Sequence, residues 1–318
     1  MLATLPEHND VINDPEKIRS TMEEQGYLFI RGLIDQEIAL RLKRDMMDAL
    51  RTHYVIEDDG STDPMWSGGP LPTEEEWLRV YGKLVELPSL KALANSPDVI
   101  RIMRELVGGP VRVWKQKITR CVYPDPESTV ARGAGPHQDA NPSFGYNADQ
   151  FFTTWFPLME IDESIGGLSV APGSHKHGVI EHEGIVPSTQ KLEATRAASV
   201  VAPEELKWAT ADYRPGDAVM FSSHTVHRGM PNHSDRIRLS VDCRYQRRGA
   251  KVTWLARATA KQTRVMGQRI DETLSSRAYW VRTRAADDLV EEVRTRMMEE
   301  GNPSLDRAVE IVEEIRSR

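Results

Sequence analysis

The sequence predicts a mainly β protein, a sandwich or barrel with flanking helices, built as a single domain over residues 1–318. Three observations predict it. Between Val111 and Gln246, short apolar runs follow one another, separated by Pro, Gly, Asn and Asp, which is the punctuation of an all-β core. Before them, apolar residues recur at helical spacing, and two stretches after them do the same. The division is a helical N-terminal part (1–110), a β core (111–250) and a helical C-terminal extension (251–318).

The elements justify themselves in order. "DPEKIRSTMEEQG" opens on Asp14-Pro15 and stops at Gly26, a helix with a capped start and a glycine end. "YLFIRGLI" reads as a short strand, and "DQEIALRLKRDMMDALRTHY" as a long amphipathic helix. "EDDGSTDPMWSGGPLPTEE" is rich in Gly, Pro and Asp, so it reads as a long loop of the kind that covers active sites. "SPDVIRIMRELVGG" is a further helix. The β runs are "VRVWKQKITRCVY", "QFFTTWFPLMEI", "GGLSVAPGSH", "DAVMFSSHTVH" and "IRLSVDCRYQ". The C-terminal helical stretches are "DDLVEEVRTRMMEEG" and "SLDRAVEIVEEIRSR".

Composition excludes several function classes. A net charge of −7 argues against general nucleic-acid affinity. No apolar run approaches the roughly 20 residues that span a bilayer, and "MLATLPEHNDVINDPEK" lacks the basic start and apolar stretch of a secretory signal. The cytoplasm is the expected location. The only cysteines, Cys121 and Cys243, form no Cys-x-x-Cys motif, which disfavours a zinc knuckle or a disulfide framework and leaves them as small buried hydrophobes. The oligomeric state is not legible. Charge is uneven: eleven Lys/Arg stand against Asp271 and Glu272 between Arg244 and Arg284. That segment reads either as a solvated helical face or as a field for an anionic substrate.

Three His-x-Asp triplets occur: His8-Asn9-Asp10, His137-Gln138-Asp139 and His233-Ser234-Asp235. Side chains two apart on a strand share a face. Only His137 and Asp139 lie at a strand end inside the β region, where both could address one ion. The first triplet sits in a polar N-terminus expected to fray, and the third in a turn. A 2-His-1-carboxylate iron site needs a further histidine and open positions. "MFSSHTVHRGMPN" offers His224 and His227, three apart, and spacing alone does not choose between them. In "IRLSVDCRY", Ile237, Leu239, Val241 and Cys243 share an apolar face, while Arg238, Ser240, Asp242 and Arg244 share a polar one. A polar face turned inward is costly unless a charged ligand occupies it. The Arg238-x-Ser240 pair suits a carboxylate. Arg236, nearer the turn, reads as a surface charge or one set behind the site, His175 as a structural loop residue, and Trp114, Trp155 and Phe156 as plain core.

Taken together, "GYLFIRGLI", "PHQDA", "WFPLMEIDESIGGLSVAPGSH" and "YRPGDAVMFSSHTVHRGMPNHSDRIRLS", in that order, resemble the phytanoyl-CoA dioxygenase-like branch of the Fe(II)/2-oxoglutarate-dependent oxygenases. The resemblance runs from Gly26 to Gln246. It implies a double-stranded β-helix (jelly-roll, cupin-like) core and three metal ligands, His137, Asp139 and His227. It also implies cofactor contacts at Arg238, eleven residues past His227, with Ser240, Thr119 and Trp155, the last eighteen residues past His137. The implied cofactors are Fe(II), 2-oxoglutarate as cosubstrate and O2. The implied reaction is hydroxylation of an unactivated C–H of a small molecule, with release of succinate and CO2; the basic segment between Arg244 and Arg284, rather than the resemblance, is what suggests an anionic one. Desaturation, cyclisation and epimerisation use the same cofactors. A carboxylate at Asp139 favours hydroxylation over the halogenation of relatives with a small residue there. The chain departs from the family at Gly229, where a hydroxylated residue is common, and in its last stretch, which aligns with nothing. Two other classes fit the fold: a non-catalytic jelly-roll binding protein, and a metal-dependent isomerase or hydrolase needing no oxygen. The loops Glu57–Glu74 and Ala140–Gln150 are expected to close the pocket.

Overall fold

The computed structural model describes residues 2–52, 56, 62–125, 135–140, 150–180, 182–183, 199–200, 206–250 and 314. Eleven strands are present among them: β1 (Ala3–Thr4), β2 (Tyr27–Ile30), β3 (Val111–Val122), β4 (Phe151–Pro157), β5 (Leu168–Val170), β6 (His182–Glu183), β7 (Ser199–Val200), β8 (Ala209–Thr210), β9 (Ala218–Ser222), β10 (His227–Gly229) and β11 (Arg238–Arg247). The helices are α1 (Pro15–Gln25), α2 (Gln36–Thr52), α3 (Glu74–Leu84), α4 (Pro88–Ala94) and α5 (Pro97–Val107). Part of the expected loop Glu57–Glu74, most of Ala140–Gln150, and the C-terminal extension apart from Glu314 lie outside the described residues.

The strands form a five-stranded sheet in the order β2-β9-β4-β11-β3 and a four-stranded sheet in the order β1-β8-β5-β10, with β6 and β7 paired separately. The large sheet is antiparallel throughout. Register decides its faces. Ser240 pairs with Arg120 on one side and Pro157 on the other, and Asp242 pairs with Ile118 and Trp155. These residues, with Arg238 and Arg244, point between the sheets, where Trp155 packs edge-on against Tyr213 at 4.8 Å and Phe221 lies 4.4 Å from His227. Leu239, Val241 and Cys243 take the other face, behind which the helices pack. From that side the Tyr245 hydroxyl donates to the Ala94 carbonyl of α4 at 2.9 Å.

The helices are held by the apolar stripes visible in the sequence. Ile18 and Met22 of α1, Leu42, Met46 and Leu50 of α2, and Val99, Ile102 and Met103 of α5 are buried in one continuous core, each contributing about 1.5–3 kcal/mol. Asp14 caps α1, accepting from the Glu16 and Lys17 amides. Gly26 ends it at φ 80°, and a Cβ there would sit 2.3 Å from the His175 ring. Only glycine fits that turn.

Two expectations need correction. The N-terminus is pinned rather than frayed: β1 pairs in parallel with β8, and His8 accepts through Nδ1 from the Phe29 amide (3.2 Å) while its ring packs on Tyr27. Leu5 and Val11 supply the apolar anchor that was not expected here, both buried in the main core. The "loop" ends in a helix start, where Thr73 and Glu76 form a reciprocal capping box for α3. No helix among the described residues is long and apolar enough to cross a membrane.

Candidate metal centre

His137 and His227 are brought together by backbone. The His137 amide donates to the His227 carbonyl (2.9 Å) and the His227 amide to the His137 carbonyl (3.0 Å), which sets the rings 4.2 Å apart. His137 therefore occupies a single bridge against β10, followed by a turn, and not the end of a longer strand. The two-residue offset still works, because Gln138 turns the other way. Its Nε2 donates to the carbonyls of Gly178 (2.8 Å) and His224 (2.6 Å), and its Oε1 accepts from the Ile180 amide (2.8 Å). Gln138, fully buried, thus ties the ligand-bearing turn to the segments on either side of it. Asp139 completes the group: one donor atom each from His137, Asp139 and His227 lies within 4.8 Å of the others.

The imidazoles are oriented for coordination. Nδ1 of His137 lies 2.7 Å from the Gly135 carbonyl, and Nδ1 of His227 lies 2.9 Å from the Thr225 carbonyl. A carbonyl only accepts, so each Nδ1 carries the proton and each Nε2 keeps its lone pair. Burial, with the neighbouring His227, pulls His137 down to about 3. Burial also lowers His227. Both rings are neutral at physiological pH, the form that binds metal. Burial alone would raise Asp139, but the Arg244 guanidinium outweighs it and holds the carboxyl far below the usual range. Two neutral nitrogens and one carboxylate oxygen suit a divalent first-row metal such as iron.

Further along the inner face of β11 lies Arg238, 2% exposed. Its Nη1 donates to the backbone carbonyls of Gly166, Gly167 (3.3 Å) and Met230 (3.2 Å). Among the described residues no carboxylate pairs with it. Burial and the nearby Arg120 charge bring it down to about 9, so it remains a cation at neutral pH and short of counter-charge. Among the described residues, its Nε and the Ser240 hydroxyl are buried without hydrogen-bond partners. Two orphaned donors two residues apart fit a carboxylate ligand. Trp155 is buried on the same face. Thr119 is not there: it pairs with Val241, so its side chain points to the helix side of the sheet. The period of two in β3 gives the inward position to Arg120, which donates to Asp242 (2.6 Å). Sequence reasoning passed over Arg120, although its inward phase follows once β3 is registered on β11.

The remaining candidates fall away from the ligand group. His224 lies beside the Ser223 hydroxyl at 3.4 Å. His175 Nε2 lies 2.9 Å from the Glu23 carbonyl, joining its loop to α1. Arg236 lies beside Asp63 (3.5 Å) near the surface. His8 and His233 are on other parts of the molecule. Thr153 and Arg244, both against Asp139, were not singled out from sequence as site residues. Nothing in the sequence marks Thr153.

The sequence profile of the phytanoyl-CoA dioxygenase (PhyH) family matches residues 22–240. The chain belongs to the PhyH family. This PhyH protein is a 2-oxoglutarate-dependent non-haem iron dioxygenase by class. Among its relatives, the 1-deoxypentalenic acid 11-beta-hydroxylase of Streptomyces exfoliatus is 28% identical over 262 residues, covering 77% of this chain and 87% of the relative. The enzyme of the same description from Streptomyces arenae is 27% identical over 243 residues, covering 74% and 82%. Among solved structures, the non-heme alpha ketoglutarate dependent carbocyclase SnoK superposes with a TM-score of 0.53 at 19% identity, covering 78% of this chain and 89% of that one. The epimerase SnoN, solved with Fe3+ and alpha ketoglutarate, gives 0.52 at 20% identity, covering 76% and 86%. The PhyH protein shares their fold, which is the jelly-roll core expected from sequence.

Proposed function

We propose that this PhyH dioxygenase hydroxylates an unactivated C–H of a small organic acid, with His137, Asp139 and His227 as the iron ligands. The observation that carries the reading is the combination on one interior surface. Three donor atoms converge within 4.8 Å, and a buried arginine with an orphaned Nε lies on the same face beside an orphaned serine hydroxyl. When bound, iron with 2-oxoglutarate and O2 supplies the oxidising power, and 2-oxoglutarate leaves as succinate and CO2. The protein's residues bind and aim. Both Nε2 lone pairs are presented by their Nδ1–carbonyl bonds, Asp139 supplies the anionic donor, and Arg238 with Ser240 takes the distal carboxylate of 2-oxoglutarate. Trp155, packed on Tyr213, walls that carboxylate off from water. A relative described as acting on 1-deoxypentalenic acid supports an acidic substrate. Within the basic segment, Arg244 is engaged by Asp139, so it is not a substrate contact. Arg257 lies outside the described residues. Two free cysteines, with Cys243 buried, support a reducing, cytoplasmic setting.

The test is succinate release by purified protein supplied with Fe(II), ascorbate and 2-oxoglutarate. Wild type should release succinate, and H137A, D139A and H227A should each lose at least about a hundredfold, the upper end of losses seen even for outer partners of metal ligands. Full turnover in any of the three would refute the site. With an organic acid as substrate, the product should gain one oxygen atom; an unchanged formula would point to epimerisation instead.

A further inference from the structure

Asp139 sits on a turn, with no strand of its own to fix its side chain. The sheet fixes it instead. Thr153 on β4 and Arg244 on β11 are directly paired in register, and both reach Asp139 from the interior face. The Thr153 hydroxyl donates to Oδ2 at 2.6 Å. Arg244 donates through Nε to Oδ2 (3.3 Å) and through Nη2 to Oδ1 (3.1 Å). The two side chains of the ion pair are 3% and 4% exposed. Oδ1 is the oxygen 3.9 Å from His137 Nε2, on the side where the imidazoles converge, while Oδ2 is held by two donors. A planar fork gripping both oxygens sets the plane of the carboxylate as well as its position, which an ammonium does not do.

We propose that Arg244 and Thr153 are positioning residues that lock the Asp139 carboxylate so that it offers Oδ1, and not both oxygens, to the metal. β11 then carries two cations with separate tasks: Arg238 for the cosubstrate and, six residues on, Arg244 for the ligand. This rests on the reading of Asp139 as a metal ligand, but not on the oxygenase chemistry.

The test uses Co(II) as the probe, titrated without 2-oxoglutarate into full-length wild type, R244K and T153V, with the visible absorption of the bound ion followed. R244K keeps the charge and removes the fork. Loss of such an outer partner weakens metal binding by about 10–100-fold. That range is expected for R244K, with a smaller loss for T153V and a changed cobalt band in both. Wild-type affinity and band shape in both variants would overturn the proposal. So would a fall in melting temperature with binding unchanged, since that marks a purely structural pair. If R244K does not fold, T153V decides alone. A wild type that binds no Co(II) sinks the metal site and this proposal together. A wild type that binds Co(II) but, loaded with iron, releases no succinate sinks the oxygenase reading and leaves this one standing.

Discussion

Arg238, Ser240 and Thr119 stand on neighbouring strands, yet their side chains go to two different faces. Arg238 is a buried cation whose Nη1 bonds are all to neutral carbonyls, so a ligand carboxylate adds a charged hydrogen bond worth about 1.5–3 kcal/mol, or roughly 10–150-fold in affinity. R238M should raise KM for 2-oxoglutarate by an amount in that range while kcat at saturation changes far less. S240A removes one neutral hydroxyl, and its KM should rise by less than about tenfold. T119V is the control that the register demands. With its side chain on the Val241 side, the substitution should leave KM for 2-oxoglutarate unchanged, and a rise comparable to that of S240A would show the register to be wrong.

The "GGLS" turn ahead of β5 is the element that receives Arg238. Gly166 adopts φ 69°, and a Cβ there would lie 1.9 Å from the Pro231 carbonyl oxygen. The turn therefore approaches the segment after β10 backbone to backbone, and the Gly166 and Met230 carbonyls that receive Arg238 come from both sides of that contact. G166A combines a disfavoured φ with a steric conflict. It should cost about 1–3 kcal/mol for the backbone alone, read as a lowered urea midpoint. Because the conflict moves the arginine's cradle, KM for 2-oxoglutarate should rise as well. A stability loss with unaltered KM would separate the turn from the pocket. The element holding Gln138 works in a similar way, with one amide side chain spanning three backbone groups from two segments.

At the scale of the whole molecule, the interior keeps buried histidines neutral that unfolding lets take up protons, and this sets its response to pH. His137 stands at about 3 when folded against 6.5 when free, and His227 is shifted the same way by burial. Below pH 6.5 the unfolded chain therefore binds protons that the folded chain refuses, and stability falls as pH drops from 6.5 towards 3. Asp139, depressed by Arg244, adds a loss in the same direction at the acid end. Metal-free protein should show a melting temperature that declines over that window, and H137Q should flatten the decline. Equal slopes for the two proteins would contradict the burial of His137. At neutral pH, removing metal with a chelator should leave the circular dichroism spectrum intact, because the Arg244–Asp139 pair balances the ligand carboxylate. Only the stabilisation supplied by metal binding itself should be lost.

Much of this protein was readable from its residues in order, because the relevant signals are local. Short apolar runs punctuated by Pro, Gly, Asn and Asp marked β3, β4, β9 and β11, helical spacing and Asp14 marked α1, and alternation along β11 set the Arg238-x-Ser240 pair on a polar face. Short strands such as β1 and β8 were not readable, since two residues carry no period; β1 gains its pairing only from β8, some two hundred positions away. The same holds at the site. His137 and Asp139 are near in sequence, but His227 reaches them through a backbone bridge across ninety residues, and Arg244 reaches Asp139 across more than a hundred. The order of residues determined which groups share a face along each strand. Only the packing of one sheet on the other decided which of them meet, because strand period sets direction and the tertiary register sets distance.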